Sequence, residues 1–319
     1  MKSIPTNLIT GFLGVGKTTT VINLLKNKPP QARWAVLVNE YGQVGIDGAW
    51  IDSAGVAGVT VQEVAGGCVC CAAAPFLPVA IHLLLLEARP ERLLIETTGL
   101  GHPARLIDSL RHNYHGRLEV RATLGLVAPA DFAQATMREN PIFVEQIQLA
   151  DVLILNKLDT ATPALVQEFQ TWAESLYPPK LLVAGTTYGQ LDAAWLDLRC
   201  DDERQFTLGG HVQPTGAHEA ATKTHQGWRF EPTVVFDAAK LLDLLANTPA
   251  ITRLKGVFRV ADEWIAVNRV GSALTVNPTA YRRDSRLEVF ASHLNWERFE
   301  KQLYACQSSE LGPPMHDDA

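Results

Sequence analysis

Residues 11–18 read Gly-Phe-Leu-Gly-Val-Gly-Lys-Thr, the spacing G-x-x-x-x-G-K-[ST] of a phosphate-binding loop. A strand-like apolar segment ends at Thr10 and a helix-like segment begins at Lys17, which is the context that this pattern requires. Glycines allow successive backbone N–H groups to face phosphate oxygens, and the helix start adds the positive end of its dipole. A chance glycine turn is the alternative, but it would not explain the strand and the helix on either side.

The loop predicts roles for its own side chains. Lys17 is expected to contact the β- and γ-phosphates of a nucleotide, and the Thr18 hydroxyl is expected to bind Mg²⁺. The residues of this stretch that we expect to bind nucleotide are Gly11, Gly14, Val15, Gly16, Lys17, Thr18 and Thr19.

Short apolar runs alternate with helix-like segments over residues 1–200. Runs bounded by Gly, Asn, Asp or Pro are typical of buried strands, and the alternation predicts a mostly parallel sheet covered by helices. We therefore expect an α/β P-loop NTPase domain here. The predicted strands are Ser3–Thr10, Ala35–Asn39, Val59–Val64, Leu93–Thr97, Ala122–Val127, Val152–Asn156 and Leu181–Ala184. The predicted helices include Lys17–Asn27, Pro75–Glu87 and Pro163–Leu176.

A change of composition follows this region. Residues 201–226 begin with Asp-Asp-Glu-Arg and show little apolar periodicity, which indicates a linker. Residues 227–312 are then expected to form a small α+β domain. Its predicted strands are Trp228–Phe236, Ile251–Val260, Trp264–Val270 and Arg286–Ala291, and its predicted helices are Ala238–Ala246 and Trp296–Cys306.

A base-recognition motif ends the strand at residues 152–156. It reads Asn156-Lys157-Leu158-Asp159, and side chains at this end of a strand face the ligand crevice of an open α/β sheet. A carboxylate at Asp159 can accept from both the N1–H and the exocyclic amine of guanine, a pair of donors that adenine lacks, so the motif favours GTP over ATP. The Asn156 amide can bond the guanine edge, and the Lys157 stem can cover the ring. Without the phosphate loop upstream, the same letters would indicate a strand-end turn.

A second carboxylate follows another buried strand, in the sequence Leu93-Leu94-Ile95-Glu96. In that position beside a phosphate loop, Glu96 is expected to serve Mg²⁺ or its bound water and to take part in hydrolysis with Lys17 and Thr18. Gly99 could bring a backbone N–H close to the γ-phosphate. The alternative is that Glu96 caps the helix that begins near residue 102.

Three cysteines fall within four positions, at Cys68, Cys70 and Cys71. Thiolates are soft ligands that suit Zn²⁺, Cu⁺ or Fe–S, and three of them leave the site to be completed from outside. The alternative is that they are small buried apolar residues. The polar segment before them offers Glu40 and Asp47 as further ligands for Mg²⁺ or a transported metal, unless both are solvated loop carboxylates.

The net charge of the chain argues against two classes of binding partner. The 319 residues carry a net charge of −6, whereas nucleic acids and anionic membranes attract a basic surface, so we expect neither as a partner. We see no secretory signal and no apolar run long enough to span a bilayer, and we expect a cytoplasmic protein. In a reducing compartment, clustered cysteines indicate metal or redox chemistry rather than disulfides.

Together these motifs resemble the CobW-type metallochaperone GTPases, which are related to the UreG and HypB nickel-insertion GTPases. The matching pieces are residues 11–19, 39–48, 66–71, 96–99 and 156–159, with 253–256 and 283–290 resembling the C-terminal signature. The resemblance implies a GTPase domain, a small C-terminal domain, and GTP hydrolysis coupled to delivery of Zn²⁺, or next Co²⁺, to a client metalloprotein. It also allows a homodimer. The sequence shows no obvious catalytic arginine finger, so we expect slow basal hydrolysis.

Carried over by position, Cys68, Cys70 and Cys71 match the metal motif of this family. Three departures stand out. Gln43 replaces a frequent acidic residue. Ala128 stands where many members have an aspartate, whose role is either absent here or served by Asp131, and the histidines are scattered rather than clustered. His112 lies where some members carry an accessory metal ligand, but a lone surface histidine is the simpler interpretation.

Two other functions fit parts of the pattern. One is a P-loop small-molecule kinase, which would need a substrate pocket and an arginine-bearing lid and which the motif at residues 156–159 disfavours. The other is a regulatory GTPase whose cysteines sense metal or redox state without delivering an ion. The sequence does not separate that second function from metal delivery.

Overall fold

A computed structural model provides the structure, and it describes residues 3–39, 51, 55–64, 77–99, 103–198, 205–206, 225–291 and 293–308. The side chains of residues 39, 63, 205 and 206 are outside that description. The chain divides into two compact units, residues 1–212 and 213–319.

The first unit is built on a parallel sheet of nine strands. Their order is β3-β2-β4-β1-β6-β7-β8-β9, with β5 also pairing with β1. The strands are β1 (Ile4–Gly11), β2 (Trp34–Asn39), β3 (Val59–Val64), β4 (Arg92–Glu96), β5 (Leu118–Val120), β6 (Leu124–Val127), β7 (Val152–Leu155), β8 (Leu182–Gly185) and β9 (Gln205–Phe206). The helices are α1 (Lys17–Lys26), α2 (Leu77–Ala88), α3 (Ala104–Asn113), α4 (Pro129–Phe132), α5 (Ala135–Arg138), α6 (Pro141–Leu149) and α7 (Pro163–Ser175). Short 3₁₀ helices occupy Leu158–Thr160 and Ala193–Asp197.

Helices cover both faces of this sheet, and alternate strand residues therefore enter two different cores. On one face Leu24 and Leu25 of α1 pack with strand residues such as Ile154. On the other face Phe143 of α6 and Phe169 of α7 pack with strand residues such as Leu153 and Leu155. A strand buried on both faces must be apolar throughout, which is why these strands read as continuous apolar runs.

The register brings the carboxyl ends of the central strands to one edge. Ile9 pairs with Glu96, Gly11 pairs with Leu126, and Val127 pairs with Leu155. In the sheet, β2, β3 and β4 lie on one side of β1, and β6 to β9 lie on the other, so β1 borders the point where the direction of strand addition reverses. In open α/β sheets, ligands bind in the crevice outside the carboxyl ends of the strands at such a point.

The second unit is a five-stranded antiparallel sheet in the order β10-β14-β11-β12-β13. Its strands are β10 (His225–Phe230), β11 (Ile251–Val260), β12 (Glu263–Val270), β13 (Ala273–Pro278) and β14 (Ser285–Ala291). Two helices, α8 (Ala238–Asn247) and α9 (Trp296–Ala305), bury Leu241, Leu245, Phe299 and Leu303 against one face of the sheet. The α/β domain followed by a small α+β domain is therefore confirmed.

Three predicted boundaries differ from the structure. The strand predicted over 228–236 ends at Phe230, because Pro232 has no N–H to donate and the chain turns there with Val234 N donating to Glu231 O. Within the predicted linker, residues 205–206 pair with β8, and β10 begins at His225. Residues 207–224 lie outside the described part of the chain.

None of the helices in the described part of the chain has the length and apolar character that a bilayer-spanning helix needs.

Candidate nucleotide site

The phosphate loop has a backbone that only glycine adopts easily. Gly11, Gly14 and Gly16 have φ values of 145°, 75° and 100°, in the left-handed region that L side chains rarely enter. Space is also closed at two of them. A Cβ on Gly11 would lie 2.5 Å from Leu126 O, and one on Gly16 would lie 2.7 Å from the Asn156 amide nitrogen.

Lys17 is the first residue of α1 and is buried. Its Nζ donates to the carbonyl oxygens of Gly11 and Phe12, at 3.0 and 3.1 Å. The ammonium group is thus held inside the loop it belongs to, where a nucleotide phosphate would replace carbonyl oxygens as its acceptor. Thr19, the other predicted contact on this helix turn, is exposed.

Thr18 and Glu96 meet across the crevice, where the Thr18 hydroxyl donates to Glu96 Oε1 at 2.7 Å. Glu96 is 2% exposed at the carboxyl end of β4. Two residues on, the buried Thr98 hydroxyl has no hydrogen-bond partner among the residues described. A hydroxyl and a carboxylate are the hard oxygen ligands that Mg²⁺ and its waters require, so the residues fit that ion.

Helix capping does not describe the position of Glu96. The helix after it, α3, begins at Ala104 with Pro103 as the preceding cap residue, and that end has no side-chain cap hydrogen bond. The Glu96 carboxylate faces α1 instead, through Thr18.

Gly99 lies directly against the phosphate loop. A Cβ at this position would come within 2.8 Å of both the N and the Cα of Leu13. Its carbonyl accepts a hydrogen bond from the Gln146 side chain at 3.1 Å, and Gln146 is a buried residue of α6. The sequence alone does not single out Gln146, and the available signal was a polar residue among the apolar positions on the buried side of the helix, beside Phe143 and Ile147.

The Asn156 side chain connects the phosphate loop to the segment that follows β8. Its amide nitrogen donates to Val15 O at 2.8 Å, and its amide oxygen accepts from Gly189 N at 3.0 Å. Asn156 is 1% exposed. The amide therefore bridges two backbone segments and can position the phosphate loop, while its contact with the guanine edge stays a prediction.

The segment after β8, residues 186–190, is a part of the site that the motifs did not reveal. Besides the bond from Gly189 to Asn156, Tyr188 O accepts from the Asn23 side chain on α1 at 2.6 Å. Gly189 has φ of 66°, and a Cβ there would lie 2.9 Å from the backbone of Thr20. A glycine following a buried strand was the only sequence signal for this close approach.

The base motif continues with Lys157 and Asp159 beyond β7. Lys157 adopts a left-handed conformation, and its Nζ donates to Gly14 O at 2.8 Å, so its stem lies along the phosphate loop. Asp159 is exposed in the 3₁₀ helix, where its carboxylate is open to a ligand. Nearby, burial raises the pKa of Asp131, and the charge of Lys157 opposes that shift. Asp131 thus lies beside the base motif.

The predicted metal ligands lie mostly outside the described residues. Cys68, Cys70, Cys71, Glu40 and Asp47 are all in that part of the chain. A group of three or more His, Cys, Asp and Glu suited to a metal does not occur among the residues that are described. His112 is exposed on α3, as a lone surface histidine would be. Cys306, at the end of α9, is buried, and burial raises the pKa of its thiol.

Comparison with known proteins gives the same division of the chain. A family model described as the nucleotide-binding domain of CobW, HypB and UreG matches residues 5–183. A second, described as the C-terminal domain of the cobalamin synthesis protein CobW, matches residues 225–307.

Two relatives match over most of their length. The zinc chaperone YeiR of Escherichia coli is 34% identical, over 93% of this chain and 96% of its own. The zinc chaperone CobW of a Sinorhizobium species is 34% identical, over 81% of this chain and 79% of its own. A crystal structure of Zn(II)-bound YjiA GTPase from E. coli superposes with a TM-score of 0.47 at 18% identity, covering 97% of this chain and 100% of that one. The chain belongs to the CobW/HypB/UreG family of nucleotide-binding proteins.

Proposed function

We propose that this protein is a GTP-hydrolysing metallochaperone that delivers a transition metal, zinc first and cobalt next, to a client metalloprotein. The observation that carries the proposal is the contact of Thr18 with Glu96 beside the phosphate loop that holds Lys17, together with the hydrogen bond from Asn156 of the base motif to the same loop at Val15 O. The names of its relatives support zinc as the cargo.

In this proposal the chain's own residues bind and orient the nucleotide. The loop's N–H groups and Lys17 hold the β- and γ-phosphates, and Asp159 selects guanine over adenine. Thr18 and Glu96 would hold Mg²⁺, which supplies charge neutralisation at the phosphates when it is bound.

Gly99 would report the state of the γ-phosphate to the rest of the domain. Its backbone lies against the loop and is fastened to α6 by Gln146. A change at the γ-phosphate would therefore move a backbone segment rather than a free side chain.

The metal is the cargo, bound by Cys68, Cys70 and Cys71 with Glu40 as a further ligand. We propose that GTP favours the metal-binding arrangement of these cysteines and that hydrolysis favours release. Slow basal hydrolysis follows from this role, because hydrolysis before a client arrives would release the ion into water.

The test is metal affinity, measured for Zn²⁺ and for Co²⁺ by competition with a chromophoric chelator. The metal affinity is compared under three conditions: in the presence of a GTP analogue and Mg²⁺, in the presence of GDP, and in the absence of nucleotide. Cys70→Ser is compared with Cys306→Ser, because Cys306 is a buried thiol whose Sγ contacts Gln302 O within its own helix. We expect tight binding that falls in Cys70→Ser, persists in Cys306→Ser and changes with nucleotide.

Affinity that ignores both Cys70 and nucleotide would contradict the proposal. Metal binding without transfer to any apo-enzyme would favour a regulatory GTPase that senses metal or redox state. Phosphoryl transfer from GTP to a metabolite instead of water would favour a small-molecule kinase.

A further inference from the structure

The second unit carries its charges unevenly. Residues 225–308 contain eleven Lys and Arg against nine Asp and Glu, a net charge of +2, whereas the whole chain carries −6. The basic residues concentrate on the sheet face opposite α8 and α9. The alternation of strand residues places these charged side chains on that face: Arg229, Arg253, Lys255, Arg259, Arg286 and Glu288. The segment that packs over the face adds Arg282, Arg283 and Asp284.

One end of this face is closed by residues 279–284. Arg282 lies over the Trp264 ring, and Arg283 and Arg286 lie over the Tyr281 ring, at 5.5–5.7 Å. Trp264 and Tyr281 are buried beneath them. This end is therefore a packed structure and not a docking surface.

The other end is open and combines apolar with basic side chains. The register aligns His225, Phe290, Arg253, Val270 and Ala273 in a row across all five strands. Phe290 is 43% exposed and Val270 is 61% exposed. The His225 and Phe290 rings lie 4.4 Å apart, so the aromatic surface is wider than one ring.

The next row of residues across this face contains a second cation, Lys255, and a residue without a side chain, Gly227. It aligns Gly227, Glu288, Lys255 and Asn268. Because Gly227 has no side chain, the surface beside Phe290 is lower there, and the Glu288 side chain borders this recess, with its Cγ 3.9 Å from where a Cβ on Gly227 would lie.

We infer that this open face, defined by Phe290, Arg253, Val270 and Lys255, binds an acidic segment of the client protein that also carries apolar side chains. Exposed apolar residues beside cations are typical of a surface that buries hydrophobic anchors and pairs carboxylates at the rim. At this open end Arg253 and Lys255 stand against Glu288 alone, so its charge is net positive on a chain that is acidic as a whole, which favours an acidic partner and steers its approach. The assignment of this segment to a client protein rests on the proposed function. The binding of an acidic segment with apolar side chains to the open face does not depend on that function.

The test uses the full-length protein and a fluorescein-labelled peptide of twelve residues that alternates Glu and Leu, measured by fluorescence anisotropy. A peptide with Lys in place of Glu tests the charge. Arg253→Glu is compared with Arg298→Glu, which makes the same change at an exposed position in the first turn of α9. Phe290→Ala removes the aromatic anchor alone. Urea unfolding followed by tryptophan fluorescence is measured on each variant as a check that the second unit, which contains Trp228 and Trp264, is folded.

We expect the Glu peptide to bind and the Lys peptide not to bind. Arg253→Glu should weaken binding at least tenfold, Phe290→Ala severalfold, and Arg298→Glu less than twofold. Added salt should weaken binding, since exposed charge pairs are screened. Equal binding by Arg253→Glu and wild type would overturn the inference. So would Arg253-dependent self-association in sedimentation, or Arg253-dependent binding only to phosphatidylserine vesicles, because each would assign the face to another occupant.

No metal or nucleotide enters this measurement. Loss of peptide binding with intact metal transfer would therefore reject the docking surface alone, and the reverse result would reject the metallochaperone function alone.

Discussion

The two sheets of this chain present functional residues in opposite ways. In the first unit helices cover both faces, and the polar residues of the candidate site follow the strand ends at Gly11, Glu96 and Leu155. In the second unit tight turns join only β11 to β12 and β12 to β13, and the distinctive surface is the sheet face itself, crossed by the row that contains Phe290 and Arg253.

This difference follows from strand direction. A parallel sheet needs crossover helices that occupy both of its faces, so only the edge at the carboxyl ends stays open. An antiparallel sheet needs only short turns, so its two helices can lie on one face and leave the other exposed. The first arrangement gathers backbone N–H groups around a small ligand, whereas the second spreads side chains over a wide area.

The largest expected effect is loss of stability at the closed end of the second sheet. Asp284 is 1% exposed and accepts hydrogen bonds from the Tyr281 hydroxyl at 2.8 Å and from Arg286 Nε at 2.6 Å, with Arg229 3.5 Å away. Asp284→Asn leaves buried cations without their carboxylate and should lower the free energy of unfolding by about 3–5 kcal/mol. Urea unfolding followed by tryptophan fluorescence measures it.

Asp262→Asn is the control for that change, because Asp262 is exposed in the turn between β11 and β12. We expect it to have little effect. If Asp284→Asn also abolished GTP binding, the two sheets would not be independent and the contrast between them would fail.

The next effect concerns the first sheet alone. Lys17→Ala removes the ammonium held at Gly11 O and Phe12 O, and GTP hydrolysis should fall about 100-fold because the cation no longer stabilises charge on the phosphates. Lys26→Ala, at an exposed position near the other end of α1, is the control. Phosphate release and binding of a fluorescent GTP analogue measure the change, and an unaltered rate in Lys17→Ala would place the phosphates elsewhere.

A pair of glycines compares the two sheets directly. Gly99→Ala places a methyl group 2.8 Å from the Leu13 backbone and should lower GTP hydrolysis about tenfold, as expected when a catalytic loop is displaced slightly. Gly227→Ala meets only ordinary contacts, at 3.6 Å or more, and should leave hydrolysis unchanged. If Gly99→Ala and Gly227→Ala had equal effects on hydrolysis, displacement of the backbone at Gly99 would be as harmless to the nucleotide site as a methyl group on the open face of the second sheet.

The smallest effect is a change of base preference. Asp159→Asn replaces an acceptor by an amide that also donates, so GTP should bind about tenfold more weakly while xanthosine triphosphate gains affinity. Competition between the two nucleotides measures this with little influence of stability, because Asp159 is exposed. Unchanged preference would move guanine recognition to another residue.

The sequence predicted the sheet, the phosphate loop and most element bounds because these depend on local patterns. The strand Ile251–Val260 was predicted with its observed bounds. Three strands were missed for local reasons as well: β5 and β9 have only three and two residues, and β13 is an edge strand whose largely exposed residues show no alternation.

Contacts between distant parts of the chain could not be predicted in this way. Asn156 lies in a motif that suggests base contact, but its amide is used by Val15 O, 141 positions away, and by Gly189 N. Gln146 meets Gly99 across 47 positions. Such partners depend on which helix covers which face, and no short pattern encodes that arrangement.

The bridge at Asn156 also gives the protein a built-in spectroscopic probe. The Gly189 N–H points at an amide whose other end holds the phosphate loop, so any adjustment of Val15 changes the hydrogen bond that this proton makes. In an NMR spectrum the single peak of the Gly189 amide would therefore shift on exchange of GTP for GDP. That peak would follow turnover from the guanine end of the crevice, without a label on the nucleotide.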